Sequence, residues 1–324
     1  MSMPFTRAWL FLFASAAAFF PAAHAQTYPS KPIRMVVGFP AGGTTDIMAR
    51  VIGAKLAQRF GQQVIIDNRP GASGIIGADI VAKANPDGYT LLMSSSTHGT
   101  NLSLYSKLPY DTVKDFAPVA LVATTPYVLV VHPTLPVQSV SELITYLKAR
   151  PGQLSFCSSS NGTAQHLAGE LLKRSAGVDI QHVPYKGTGA LLPDLLAGRV
   201  SLAFENVTVM TPYIKSGALR PLAVTSTKRS PVLPEVMTMV EAGLPNFEVI
   251  GWFGIFTAAR TPSETIERLN SQIAVIMKEP DVRERMLAQG AEPLSGPPSD
   301  LRDLLAREID VWGKVIREAG IRLD

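Results

Sequence analysis

A single cysteine, Cys157, stands among 324 residues, so no intramolecular disulfide can form and stability must come from burial. Charge is sparse too, with Asp, Glu, Lys and Arg making up only 17% of the chain. The formal net charge of +4 is not gathered into a Lys/Arg run or interleaved with aromatics, which argues against a nucleic-acid partner. Past Phe20 no apolar run approaches the ~20 residues a membrane-spanning helix needs. Metal-ligand spacing is missing, since His132, His166 and His182 have no such relation to one another or to Cys157. There is no Gly-x-Ser-x-Gly elbow, Walker A loop or strand-borne Gly-x-Gly-x-x-Gly, so no cofactor is implied. What the chain does have is 46% hydrophobic residues, ample for a core.

The first residues read as a targeting segment. Met1 to Arg7 carries one positive side chain, Trp9 to Phe20 is apolar or small throughout, and Pro21-Ala22-Ala23-His24-Ala25 follows. This order predicts a secretory signal peptide (residues 1–25) cleaved after Ala25. Gln26 stands where a lipid anchor would require Cys, so a freely soluble, monomeric protein held in a Gram-negative periplasm is expected.

Short β-type runs alternate with helical periodicity. Ile33–Val37 reads as a strand, Asp46–Phe60 as a helix ended by Gly61, and Val64–Ile66 as a strand. Gly74–Lys83 reads as a helix and Tyr89–Met93 as a strand. The pattern restarts with a helix capped by Ser141, a strand at Leu154–Cys157 and a helix at Ala164–Ser175. A strand at Gln181–Val183, a helix at Leu191–Leu196 and a strand at Val200–Phe204 complete it. Alternation of this kind predicts parallel sheets covered by helices. The low-charge runs Val119–Val131 and Val249–Phe256 read as crossovers. The expected fold is therefore two doubly wound α/β domains joined by two crossover strands. Residues 26–124 plus 250–324 would form one and residues 125–249 the other, with a ligand cleft between them.

Three strand-to-helix junctions share one chemistry. They are Gly38-Phe39-Pro40-Ala41-Gly42-Gly43-Thr44-Thr45-Asp46, Cys157-Ser158-Ser159-Ser160-Asn161-Gly162-Thr163-Ala164-Gln165-His166 and Pro184-Tyr185-Lys186-Gly187-Thr188-Gly189-Ala190. Each places glycine and hydroxyl residues where a helix begins. N–H groups there lack intrahelical partners and the helix dipole is positive. Glycine lets an anion approach the backbone, and Ser and Thr add donors. One such loop alone is explained by ordinary capping. Three at the carboxyl ends of strands point to an anionic ligand.

The run Phe39-Pro40-Ala41-Gly42-Gly43-Thr44-Thr45-Asp46 resembles the signature loop of the Bug family, the substrate-binding proteins of tripartite tricarboxylate transporters. Asp67-Asn68-Arg69-Pro70-Gly71, Pro86-Asp87-Gly88-Tyr89-Thr90, His166-Leu167-Ala168-Gly169-Glu170 and Pro184-Tyr185-Lys186-Gly187 extend the likeness. So do Leu219-Arg220-Pro221-Leu222-Ala223-Val224-Thr225 and Glu241-Ala242-Gly243-Leu244-Pro245. The resemblance implies a type II periplasmic binding protein, a Venus flytrap that passes a small carboxylate to membrane permease subunits. It also implies that the first two loops pinch the carboxylate, through Gly42, Gly43 and Thr44 on one side and Ser158, Asn161, Gly162 and Thr163 on the other. Two positions depart from the family pattern. Ser160 replaces a usual Gly, and Phe204-Glu205-Asn206 replaces a common Phe-Asp-Asn.

Further candidates each have two readings. Asp46 could contact a ligand amine or cap its helix. Ser94, Ser95, Ser96 and His98 follow a strand and would line the cleft, His98 as a ligand contact or a turn residue. Lys186, next to Tyr185, could pair a second carboxylate or point to solvent beside Gly187. Glu205 and Asn206 would make a polar ligand or hinge contact. Cys157 reads as a small buried hydrophobe. The rival functions are a periplasmic hydrolase using a Ser158–His166 dyad and a ligand-sensing receptor for a membrane kinase.

Overall fold

A computed structural model describes residues 28–323 apart from 289 and 319, and residue 208 by its backbone alone. The expected leader and its cleavage after Ala25 lie outside the described residues. The chain runs β1 (Ile33–Val37), α1 (Thr44–Phe60), β2 (Val64–Asn68), a 3-10 turn (Ala72–Gly74), α2 (Ile75–Ala82), β3 (Thr90–Ser95), α3 (Thr97–Leu104) and β4 (Phe116–Val131). It continues through α4 (Val140–Lys148), β5 (Ser155–Ser158), α5 (Ala164–Ala176), β6 (Gln181–Pro184), α6 (Thr188–Leu196), β7 (Leu202–Asn206), α7 (Val207–Lys215) and β8 (Arg220–Val224). Last come β9 (Ile250–Ala258), α8 (Ser263–Ile276), α9 (Pro280–Ala288), β10 (Glu292–Pro293) and α10 (Pro298–Glu318).

The strand order is β2-β1-β3-β9-β4-β7-β5-β6, with β8 and β10 also on β4. Two α/β halves repeat one plan. In the first, β1 lies parallel to β2 and β3, and β9 runs antiparallel beside β3. In the second, β5 lies parallel to β6 and β7, and β4 runs antiparallel beside β7. The two long, low-charge runs are indeed the connecting strands. β4 and β9 pair from Phe116↔Ala258 to Pro126↔Ile250, and β4 then continues along β7 from Tyr127 to Val131.

Strand periodicity assigns the cores. Along β4, Leu129 and Val131 enter the cluster beneath α4 and α5, with Leu143, Leu147, Leu167 and Leu172. Val128 and Val130 face the opposite cluster with Leu191, Leu195 and Met210. Both faces of β4 are covered there, so Val128 to Val131 are apolar and buried without a break. α10 reaches two cores, placing Leu301 and Leu305 against Phe256 and Trp252 and, farther along, Trp312 and Ile316 against the cluster of Leu129 and Phe204.

Two local readings change. α4 is capped by Ser139 rather than Ser141: Ser139 Oγ accepts from the Glu142 N–H at 3.2 Å while Glu142 Oε2 accepts from the Gln138 N–H at 2.7 Å. This reciprocal pair satisfies two terminal donors, which a cap at Ser141 would leave unpaired. α3 was not foreseen, because Thr97-His98-Gly99-Thr100-Asn101 has poor helix propensity. Packing supports it, for Gly99 lies close under Leu305 of α10.

Gly38 and Gly77 let α2 press against the loop that follows β1. A Cβ on Gly77 would stand 2.8 Å from Gly38 Cα, a backbone atom with no rotamer to change. Although alanine is the better helix former, Gly77→Ala should lower stability in urea unfolding by about 1–3 kcal/mol through overpacking. Unchanged or increased stability would contradict the close approach.

Candidate functional site

The carboxyl ends of β1, β3, β5, β6 and β7 deliver their following loops to one cavity of about 510 Å³. Open α/β sheets place ligands at such ends. Phe39, Ala41, Gly42, Gly43 and Thr44 line it from the loop before α1. Thr163 lines it from the start of α5, Lys186 and Gly187 from the start of α6, and Glu205 and Asn206 from the end of β7.

The helix starts there carry no side-chain cap. α1 begins after Gly43 and α6 after Gly187, neither of which has a side chain to offer. α5 begins after Thr163, whose hydroxyl donates instead to the Ser160 carbonyl at 2.8 Å. Thr163 occupies the N-cap position, yet it leaves the first-turn N–H groups of α5 to other acceptors. The orphan donors of α1, α5 and α6 therefore border the cavity, each with the positive end of a helix behind it. The shorter α3, whose start at Ser96 and Thr97 also lines the cavity, has no side-chain cap either. An anion fits there without any arginine. Left-handed backbone occurs at Gly42 (φ 84°), Gly162 (φ 72°) and Gly187 (φ 100°). Gly43, at φ −78°, is ordinary extended backbone, so the conformational need for glycine falls on Gly42.

Asp46 holds the first loop from below. Its carboxylate accepts from the Gly42 N–H at 2.9 Å, Arg50 Nε at 2.9 Å and Asn68 Nδ2 at 2.9 Å. Burial opposes the charge, but the bonds from Arg50, Gly42 and Asn68 outweigh it and hold the carboxyl below its ordinary 3.8. Asp46 does not line the cavity, so its part is to fix the loop.

The second loop rests on a stacked histidine pair, His166 buried and His182 half-buried. Ser158 Oγ lies 2.7 Å from His182 Nε2 and 2.9 Å from the Ser160 carbonyl, and it has one proton to give. Giving it to Ser160 makes His182 the donor and leaves Ser158 with no base. His166 stacks on His182 at 3.8 Å between ring centroids, and its Nδ1 accepts from the Gly162 N–H at 3.0 Å. The Ser158–His166 dyad drawn from sequence does not form. Burial pushes both histidines down, His166 to about 3 (helped by His182) and His182 to about 4. Both stay neutral, as the bond to Gly162 requires.

Several other expected residues stand behind the wall. His98 is buried between Phe116 and Phe256, with ring centroids 4.6 and 4.8 Å away. Ser94 is buried one residue before Ser95, which does line the cavity along with Ser96. Asn161 and Gly162 offer their carbonyls to Ser73 Oγ at 3.2 Å and Thr100 Oγ1 at 2.9 Å. Tyr185 turns away to bond Asp194 at 2.7 Å, while the Gly187 N–H ties its loop to the Ser159 carbonyl at 2.7 Å. Cys157 is fully buried and its thiol is pushed up to about 12 by burial. Sequence reasoning missed Thr125 and Tyr127 of β4, Trp252 and Phe253 of β9, and Gln165 and Thr188. The connecting strands were read as connectors only, although their aromatic and hydroxyl content marked them as wall material.

Comparison with known proteins gives one consistent result. The profile of the tripartite tricarboxylate transporter family receptor matches residues 48–321. Protein BugT of Bordetella pertussis is 42% identical over 301 residues, covering 92% of both chains. Among solved structures, R. palustris Rpa4515 with adipate is 41% identical at TM-score 0.85, covering 91% of this chain and 100% of that one. MatC from Rhodopseudomonas palustris with bound malate is 34% identical at TM-score 0.81, covering 89% and 100%.

Asp46→Ala strands the Gly42 and Asn68 donors and should cost roughly 2–4 kcal/mol of unfolding free energy at neutral pH. Because the folded pKa is the lowered one, this contribution is present above the ordinary 3.8 and is lost as pH falls through the folded value. Denaturation should show the gap between wild type and variant closing in acid. A gap that persists, or none at neutral pH, would refute the anchoring role.

Proposed function

We propose, from the premise that this chain belongs to the tripartite tricarboxylate transporter receptor family, that it captures a small organic carboxylate in the periplasm and passes it to membrane permease subunits. The observation that carries the reading is the convergence of three uncapped helix starts on one cavity. The relatives with bound adipate and malate support an organic acid as ligand. Cleavage of the leader after Ala25 belongs to the same proposal. So does a division into two lobes, residues 26–124 with 250–324 and residues 125–249, that close on the ligand about β4 and β9. Charge-assisted hydrogen bonds contribute about 1.5–3 kcal/mol each. A handful of them supports micromolar capture, which needs roughly 8 kcal/mol. The expected Ser158–His166 dyad does not form, since His166 Nδ1 accepts from the Gly162 N–H instead, which favours a binder over a hydrolase. The bound acid should be recovered chemically unchanged after hours by NMR.

Calorimetry on three variants tests how the acid is held. Gly42→Val forces a branched side chain into left-handed backbone and should weaken binding most. Thr163→Ala removes one bond within the second loop and should cost about 1 kcal/mol. Lys186→Ala should cost under about 1 kcal/mol for a monocarboxylate, since Lys186 is exposed. If Lys186→Ala abolishes binding while Gly42→Val is tolerated, an ordinary salt bridge holds the ligand and the helix-start reading fails.

Closure makes a separate demand. Small-angle scattering should show a smaller radius of gyration at saturating ligand, and Trp252, in the cavity wall, should change its emission. Identical scattering with binding confirmed would indicate a rigid pocket.

A further inference from the structure

Among the described residues, one carboxyl borders the cavity. Glu205, at the end of β7, is fully buried, and every hydrogen bond it makes comes from a neutral donor. Gln165 Nε2 lies 3.3 Å from Oε1, Thr188 Oγ1 lies 3.3 Å from each oxygen, and the Asn206 N–H lies 3.1 Å from Oε2. No salt bridge to Glu205 is formed among the described residues, and Lys186, which borders the same cavity, is exposed. A carboxylate taken out of water without a cation partner normally recovers the cost by binding a proton. Thr188 tolerates that form, because its hydroxyl, 3.3 Å from each oxygen, can go on donating to the unprotonated oxygen and leave the acid proton free.

We propose that Glu205 is the specificity-determining residue of the cavity: it meets the ligand as a neutral carboxylic acid whose O–H donates to a second anionic group, so the site favours dicarboxylates and takes up a proton on binding them. This rests on the carboxylate reading above and names its substrate class. The first carboxylate belongs to the uncapped helix starts, and an ionised Glu205 would repel the second. A ligand ammonium would meet the positive ends of the same helices, which disfavour it.

The groups around Glu205 leave it alone in the neutral range. Burial raises its pKa to about 7 despite the three donors. On β4 the Tyr127 hydroxyl is pushed far up by burial, and on β5 the Cys157 thiol rises to about 12, so both stay neutral. His166 on α5 and His182 on β6 are neutral for the same reason, since burial lowers the pKa of a base, and Asp194 on α6 is held ionised by Tyr185 and Arg199. Glu308 on α10, hydrogen-bonded by Trp312 Nε1, also rises to about 7 through burial, so the effect must be isolated by substitution at Glu205. The sign is fixed: the complex holds a proton that the free protein sheds as pH rises, so affinity falls with rising pH.

The test is calorimetry with the linear dicarboxylates from succinate to pimelate, each beside its monocarboxylate and ω-amino counterpart. Titration in buffers of different ionisation enthalpy counts protons on the unmodified protein. The best-bound dicarboxylate should weaken about tenfold or more from about pH 6.5 to about pH 8.5, with proton uptake in the upper part of that range. Its monocarboxylate counterpart should bind more weakly with a flat profile, and E205Q should remove the slope for the dicarboxylate. Dicarboxylate binding without proton uptake, an E205Q profile as steep as wild type, or preference for an ω-amino acid that E205Q abolishes would each overturn the proposal alone. If no acid in the panel binds at either pH, the carboxylate reading itself falls and this inference with it.

Discussion

The first-turn N–H groups of α1, α5 and α6 have nowhere to bond within their own helices, and no side chain caps them. A buried helix end in that state is costly unless something else accepts from it. The arrangement is stable because the ends face an open cavity, where solvent or an anionic ligand can serve. Gly42 and Gly187 take backbone conformations that suit glycine, while Thr163 spends its hydroxyl on Ser160. The fold thus concentrates positive potential by leaving caps out.

Holding those ends still requires rigid support that does not compete for the ligand. Asp46 does this for the first loop from behind the wall, bonded to Gly42, Arg50 and Asn68. The stacked His166 and His182 do it for the second, through Gly162 and Ser158. The third loop is tied to the second by the Gly187 N–H and the Ser159 carbonyl. In each case the polar groups that look most reactive in the sequence bond to the protein itself.

The alternation of strands and helices, the connecting strands and the chemistry of the three loops were legible because they rest on periodicity and local backbone preference. Side-chain direction was not. His166, close to Ser158 in sequence, is the partner a rival hydrolase reading would need, yet neighbouring parallel strands bring His182 to Ser158 instead. His98 follows a strand among serines and threonines, but α3 folds it into an aromatic cluster because α10 packs alongside. α3 escaped notice for the same reason, since its sequence favours no helix and only tertiary packing makes one. The Ser139 cap was readable from its spacing to Glu142 and was overlooked in favour of a nearer serine.

If backbone N–H groups at helix starts hold the carboxylate, their own resonances must report it. Backbone amide NMR during titration with a bound acid reads those groups directly. The amide protons of Thr44, Thr45, Ala164, Gln165 and Thr188 should move downfield together and saturate with the binding isotherm. Amides that stay in place while the Lys186 ammonium resonance shifts would contradict the account and assign the carboxylate to a side-chain ion pair.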